Sequence, residues 1–243
     1  MISIILPTYK EAENLRVLLP QIHQVLQSER HEIIVVDDNS KDGSEELCKQ
    51  LARELPLRFI KRRTERGLAT AVLAGFDQAK GDYLFCMDAD LSHPPEVLLK
   101  LHHELKKGVQ FALASRYISG ASIQEGWGFL RHINSLLPTY LTKSLTSIKD
   151  PMSGFFGLPR ETYLKQRSSY KPLGYKIALE LIVKLQIKVI EIPFTFQHRF
   201  KGSSKLNMKQ RLLFLIHLSQ LYRHHLNLKP SNKLHFSKAH PHK

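Results

Sequence analysis

Residues 83–96 read YLFCMDADLSHPPE. An apolar run stops abruptly at Asp88 and Asp90, which are separated by one alanine, and two prolines follow at once. A run that is apolar throughout, rather than alternating, suits a parallel strand buried on both faces. Proline lacks the N–H that a strand ladder needs, so Pro94 and Pro95 end the strand and open the next helix. The stretch therefore reads as a buried strand that aims two carboxylates at one end of a sheet.

The same unit recurs along the first half. Short apolar or β-branched runs occur at ISIIL (2–6), EIIVV (32–36), LRFI (57–60) and QFALA (110–114), with helical patterns near 12–27, 42–54, 68–79 and 94–107. Strand–helix alternation with short connections implies an α/β fold, a mostly parallel sheet flanked by helices. Ligands of such sheets bind at the carboxyl ends of the strands. Those ends are PTYKEAEN (7–14), DDNSKDGS (37–44), DADLSHPP (88–95) and SRYISGAS (115–122). Asn, Asp and Ser are ordinary turn and capping residues, which accounts for each loop taken alone. It does not account for acidic clusters on neighbouring strand ends that share one crevice. Two carboxylates at i and i+2 repel unless a cation joins them, and Mg2+ or Mn2+ takes one or two carboxylates and fills its shell with substrate phosphates and water. Asp88 and Asp90 are the expected metal ligands on that reasoning.

The chain has 243 residues, 42% hydrophobic and 24% charged, so an ordinary globular protein of one large domain with an appendage is expected. Cys48 and Cys86 match no metal spacing and read as reduced core thiols of a cytosolic protein. No signal peptide is indicated, and the longest apolar run, LLFLIHL at 212–218, is too short to cross a bilayer. The net charge of +14 is concentrated at one end: beyond Glu191 there are ten Lys and Arg, seven His and no acid. Such a segment seeks an anionic partner. None of the recognised nucleic-acid modules occurs, so no nucleic acid is expected.

Six stretches in order, ILPTYKEAENL, IIVVDDNSKDGS, RGLATAVLAGF, MDADLSHPPE, ASRYISGAS and DPMSGFF, resemble the family 2 glycosyltransferases. Within that family they are similar to the polyprenyl-phosphate (dolichol-phosphate) mannosyltransferases. The resemblance covers about residues 1 to 208. It implies a GT-A fold, a nucleotide-sugar donor, a divalent metal (Mg2+ or Mn2+) and inverting transfer to the phosphate of a membrane polyprenol. Mannose from GDP-mannose is the favoured donor. Glucose from UDP-glucose, or a glycan hydroxyl as acceptor, is the alternative. There is no Gln-x-x-Arg-Trp motif of processive synthases, and LPTYKEAEN has no glycine of the kind a nucleotidyltransferase loop uses.

By the same resemblance, Pro7, Tyr9, Glu11 and Asp38 line the nucleotide site and Asp37 supports that loop. Asp88 and Asp90 bind metal and diphosphate. Ser92 stands where some relatives carry a stronger ligand, and Ala69 where many carry a second glycine after Gly67. Arg116, Arg131 and Ser135 contact the lipid phosphate, and Arg199 and Lys205 a donor or acceptor phosphate. Asp90, Arg116, Arg131, Arg199 and Lys205 form the expected catalytic set, and Asp150 shapes the acceptor site.

A phosphate monoester is already ionised at neutral pH and needs no general base, so catalysis by basic residues is expected in the second half. Apolar positions 130, 133, 137, 141, 145 and 148 mark one side of a helix that Pro138 interrupts or kinks. HRFKGSSKL (198–206) reads as a loop that orders over phosphates. Glu180 reads as structural. The expected organisation is a catalytic domain over 1–206, with a nucleotide-sugar half (1–115) and an acceptor half (116–206). An amphipathic helix follows over 207–228, interfacial or packed on the domain, and then a disordered basic tail over 229–243. The protein is expected at the cytoplasmic face of a membrane, held peripherally or by a small membrane subunit.

Overall fold

A computed structural model describes residues 1–124, 140–171, 173–201 and 208–227. The order of elements is β1 (Ile2–Thr8), α1 (Ala12–Val25), β2 (His31–Asp37), α2 (Ser44–Leu51), β3 (Leu57–Lys61), α3 (Leu68–Gln78), β4 (Tyr83–Cys86), α4 (Val97–Lys106) and β5 (Phe111–Ser115). There follow β6 (Ser122–Ile123), β7 (Phe156–Pro159), α5 (Arg160–Lys165), a 3-10 turn (Arg167–Ser169), α6 (Ile177–Leu185), β8 (Val189–Pro193), β9 (Thr195–Phe196) and α7 (Met208–Asn227).

Seven strands form one sheet in the order β3-β2-β1-β4-β7-β5-β8, parallel except for β7, and β6 and β9 form a small parallel ribbon. Successive residues of the central strands face opposite sides: Ile4, Leu6, Ile33 and Val35 join one core, Ile5, Ile34 and Val36 the other. Helices α1 and α4 cover the first core and α3 and α6 the second. Both faces are therefore dry, which is why the centres of the strands carry apolar residues at consecutive positions. Cys48 and Cys86 are buried, unpaired thiols within these cores.

β7 and β8 were not expected. FGLP is four residues long with an internal glycine, and VIEIP carries a charge in its middle, so neither presents an apolar run. β7 matters because it is antiparallel: its start lies where β4 and β5 end. The segment 150–154 just before it is thereby brought to the carboxyl ends of the parallel strands. The helical pattern expected to reach residue 148 does not do so. Residues 142–145 form turns and 146–149 run on irregularly, with Leu145 and Thr146 amides bonded to the Thr142 carbonyl and the Thr146 hydroxyl accepting the Ile148 N–H. Such local side-chain bonds compete with a helix. α4 begins at Val97, after the Pro94 and Pro95 carbonyls accept turn bonds from Val97 and Leu98. α2 starts only at Ser44, behind a left-handed Gly43.

One face of α7 packs on α6: Phe214, Leu218 and Leu221 join Leu179 and Val183 in a third core. Its other side leaves Met208, Leu212, Leu215, Ile216 and Leu226 exposed. One face of the helix is thus a core face, and the other is exposed and apolar.

Candidate active site

The carboxyl ends of β1, β2, β4 and β5 meet in a cavity of about 440 Å³. One part of it is lined by Pro7, Tyr9, Glu11 and Asp38 among others. Asp37 itself is turned away from the cavity lining. Its Oδ1 accepts the Ser40 N–H at 2.7 Å, and its Oδ2 accepts the Ser40 and Thr8 hydroxyls at 2.6 and 3.2 Å, fixing the loop after β2. Asp42 reaches across to accept the Ala12 N–H at 3.0 Å, so the β2 loop caps α1. Asp38 is also engaged. Arg62 donates to its Oδ1 from Nε at 2.7 Å and from Nη2, and the Gly67 N–H donates to Oδ2 at 2.8 Å. Asp38 thereby ties β2 to the start of α3. Ala69, in place of a second glycine, is fully buried in the first turn of α3, and its N–H reaches the Gly174 carbonyl at 3.4 Å.

The turn after β4 is tightly built. Leu91 adopts a left-handed φ of 65°, an uncommon conformation for a bulky side chain and one found where surroundings over-determine the backbone. It lets Ser92 fold back, so that its hydroxyl and N–H donate to Asp90 Oδ1 at 2.5 and 3.1 Å. Ser92 is fully buried and aims at Asp90 rather than at the cavity, which makes it an orienting residue for that carboxylate. Asp90 Oδ2 takes Arg199 Nε at 2.8 Å.

The Asp88 carboxylate has no hydrogen bond from any described residue. Its N–H donates to His93 Nδ1 at 3.0 Å, so His93 carries its proton on Nε2, which lies 3.9 Å from Asp88 Oδ2. His93 stacks on Phe155 at 4.9 Å. Burial pushes it below the usual imidazole range against the pull of Asp88 and Asp90, so the ring is neutral at pH 7.

Gly154 faces Asp88, and a Cβ there would stand 3.1 Å from Asp88 Oδ1. A side chain there would crowd the Asp88 carboxylate and make it give way. One open carboxylate and one held by a cation, both hard oxygen donors, suit Mg2+ or Mn2+ with an oxygen-rich shell completed by phosphate. Among the described residues no third His, Cys, Asp or Glu joins them.

After β5, Arg116 is held by Asp150 with Nε to Oδ2 and Nη2 to Oδ1, both at 2.8 Å, and by its own N–H to Oδ2 at 3.0 Å. Asp150 is fully buried, and its N–H and that of Lys149 are accepted by Glu191 at 3.0 Å. Burial opposes the charge on Arg116, but the Asp150 contact outweighs it and raises the guanidinium above its usual value. Arg116 is thus a fixed, permanently charged fork at the cavity wall. Arg199 also lines the cavity. Arg131, Ser135, Pro138, Lys205 and the basic tail after 228 lie outside the described residues.

Sequence reasoning missed Lys176. It precedes α6, lines the cavity, and donates from Nζ to the Met152 carbonyl at 3.0 Å. Nothing in Tyr175–Lys176 marks a site locally, because the contact depends on where the antiparallel β7 brings Met152. Glu180, four residues on, is fully buried away from the cavity. It accepts the Lys171 N–H at 2.7 Å and the Lys184 ammonium at 2.6 Å, and His217 Nε2 stands 3.2 Å from its other oxygen.

Comparisons with known proteins bear on this site. Residues 3–165 match the model of glycosyl transferase family 2. The chain is 42% identical to a dolichol-phosphate mannosyltransferase of Saccharomyces cerevisiae, over 90% of this chain and 86% of that protein. It is 41% identical to one of Pyrococcus furiosus, over 90% of this chain but only 63% of that protein. A polyprenol monophosphomannose synthase of Mycolicibacterium smegmatis is 34% identical over 84% of this chain and 80% of its own. Among solved structures, mannosyl-3-phosphoglycerate synthase from Rubrobacter xylanophilus has a TM-score of 0.69 at 17% identity, over 95% of this chain and 76% of that one. Glucosyl-3-phosphoglycerate synthase from Mycobacterium tuberculosis, in complex with Mn2+, UDP-glucose and phosphoglyceric acid, has 0.66 at 17%, over 91% and 80%. These structures share the mostly parallel, helix-flanked sheet.

Proposed function

The chain belongs to glycosyltransferase family 2, and we propose that it transfers mannose from GDP-mannose to the phosphate of a membrane polyprenol, with inversion. The names of the relatives support the sugar and the acceptor. The observation that carries the reading is the charge arrangement of one cavity: Asp88 and Asp90 on one wall, Arg116 and Lys176 on another, and Arg199 between carboxylate and solvent.

In this reaction an oxygen of the acceptor phosphate bonds to the anomeric carbon, the bond from that carbon to the donor diphosphate breaks, and the nucleoside diphosphate leaves. Mg2+ or Mn2+ held by Asp88 and Asp90 would neutralise charge on the leaving diphosphate. Ser92 and His93 keep the two carboxylates aimed, through the Asp90 side chain and the Asp88 backbone respectively. Pro7, Tyr9, Glu11 and Asp38 form the wall for base and ribose. Arg199, already at Asp90, is placed for the donor phosphates, with Lys205. Arg116, Arg131 and Ser135 grip the acceptor phosphate. A phosphate nucleophile needs positioning and charge relief rather than deprotonation. Asp150, the carboxylate nearest Arg116, has both oxygens held by that guanidinium and is not free to act as a base for a glycan hydroxyl. That favours the phosphate acceptor over the hydroxyl alternative. UDP-glucose remains the second donor to test.

The lipid acceptor requires contact with a bilayer. Among the described residues no helix is long and apolar enough to cross one. The exposed apolar row of α7, flanked by exposed Arg211 and Arg223, is suited to lie on an anionic membrane surface. The donor part of this reading is tested by thermal shift with GDP, UDP and their mannose and glucose derivatives, with and without Mn2+ or Mg2+. A ligand that binds only the folded protein raises its melting temperature. GDP and GDP-mannose are expected to do so in a metal-dependent way, and a shift with UDP compounds alone would reassign the donor.

A further inference from the structure

Two cations of known position line the acceptor side of the cavity, and they are not equivalent. Arg116 is paired in full with Asp150, so the pair presents little net charge. Lys176 has no carboxylate within ion-pair distance among the described residues. Its ammonium touches the Met152 carbonyl, at 3.0 Å, and the face of the Tyr175 ring, 4.5 Å from its centroid. An ammonium has three N–H donors, so this one keeps two that no described residue uses. The residue retains part of its surface on the cavity side, yet burial of the head group pushes it down to about 8. A partly dry, unpaired cation facing a cavity is costly unless an anion completes it.

Its location selects which anion. Residues 150–154 hold both cations, Arg116 through the Asp150 carboxylate and Lys176 through the Met152 carbonyl. Lys176 is thereby a near neighbour of Arg116, and Asp88, which faces the donor diphosphate in the reading above, meets the far end of the same segment at Gly154. We propose that Lys176 is a direct ligand of the acceptor's phosphate group, supplying the net positive charge that the neutralised Arg116–Asp150 pair lacks. This rests on the polyprenyl-phosphate reading. The monoester dianion would accept from the ammonium and from the exposed edge of Arg116, and no bond is made or broken by the lysine.

The test compares Lys176→Met and Lys176→Arg with the native chain, measuring KM separately for polyprenyl phosphate and for GDP-mannose across pH 6.5–10. The methionine variant should raise the acceptor KM by on the order of tenfold to a hundredfold, the range for losing one charge-assisted hydrogen bond. Donor KM and the GDP-induced thermal shift should be unchanged. In the native chain the acceptor KM should climb above about pH 8, where free Lys176 loses its proton. The arginine variant should bind acceptor nearly as well and show no such rise. An acceptor KM within about twofold of native in Lys176→Met overturns the proposal, as does a loss confined to the donor KM. If Lys176→Met does not fold, an unaltered rise near pH 8 in Lys176→Arg overturns it equally. A native chain that transfers nothing to polyprenyl phosphate overturns the underlying reading, whereas native transfer with an indifferent Lys176 overturns the lysine's role alone.

Discussion

Ser92 and Gly154 set how Asp90 and Asp88 are presented. The two aspartates were legible because two like charges ending a buried strand call for a cation. The role of Ser92 was not, because it depends on Leu91 entering the left-handed region and turning the hydroxyl back to Asp90 Oδ1 at 2.5 Å. Partners that orient metal ligands typically govern affinity by about ten- to a hundredfold. Ser92→Ala should therefore weaken Mn2+ binding by roughly that factor, read by calorimetry in the presence of GDP, with little change in melting temperature. Gly154→Ala should do the same by steric means, since its Cβ would crowd Asp88 Oδ1 at 3.1 Å. Unchanged metal affinity in both variants would mean that these two carboxylates are not the ligands.

At the level of elements, the first five strands and the first four helices could be read from their apolar runs and periodicity. β7 could not, because antiparallel FGLP has neither length nor alternation. Its absence from the reading hid why DPMSG belongs to the site, and with it Lys176. α7 was left between two alternatives because its sequence is apolar on two sides. The joint that fixes it is buried: Glu180 on α6, with Lys184 beside it and His217 facing it from α7. Burial works to raise the Glu180 carboxyl, but contacts from His217, Lys184 and the Lys171 N–H prevail and hold it below its ordinary value. Its folded-state value is thus lower than its unfolded one. The contribution to stability is full above the unfolded value and is lost as pH falls through the folded one. Glu180→Ala should cost about 1–3 kcal/mol in urea unfolding, since it removes the buried acceptor of the Lys171 N–H and of Lys184, and should flatten the acid limb of stability below about pH 4.5. A loss under about 1 kcal/mol would show that α7 is held by its apolar contacts alone. On the outer face, Leu212→Glu with Leu215→Glu should abolish flotation with anionic vesicles while leaving the melting temperature near native. Retained flotation would assign membrane contact to another part of the chain.

Over the whole molecule, charge and shape divide the work. The net charge of +14 resides largely beyond Glu191, on α7 and its flanks, while the sheet carries the acidic strand ends. Of the cations beyond Glu191, Arg199 lines the cavity, where Arg116 and Lys176 from earlier in the chain meet Asp88 and Asp90. The overall asymmetry was plain from the sequence; that cations from these separate segments share one cavity with the two aspartates required the fold. The most direct measurement is transfer of labelled mannose from GDP-mannose to polyprenyl phosphate, read as label entering the organic phase. It is run with metal, with chelator, and with a glycan in place of the lipid. Metal-dependent label in the lipid phosphate product, absent with chelator and absent from the glycan, is the predicted result. Label in the glycan alone would contradict the account.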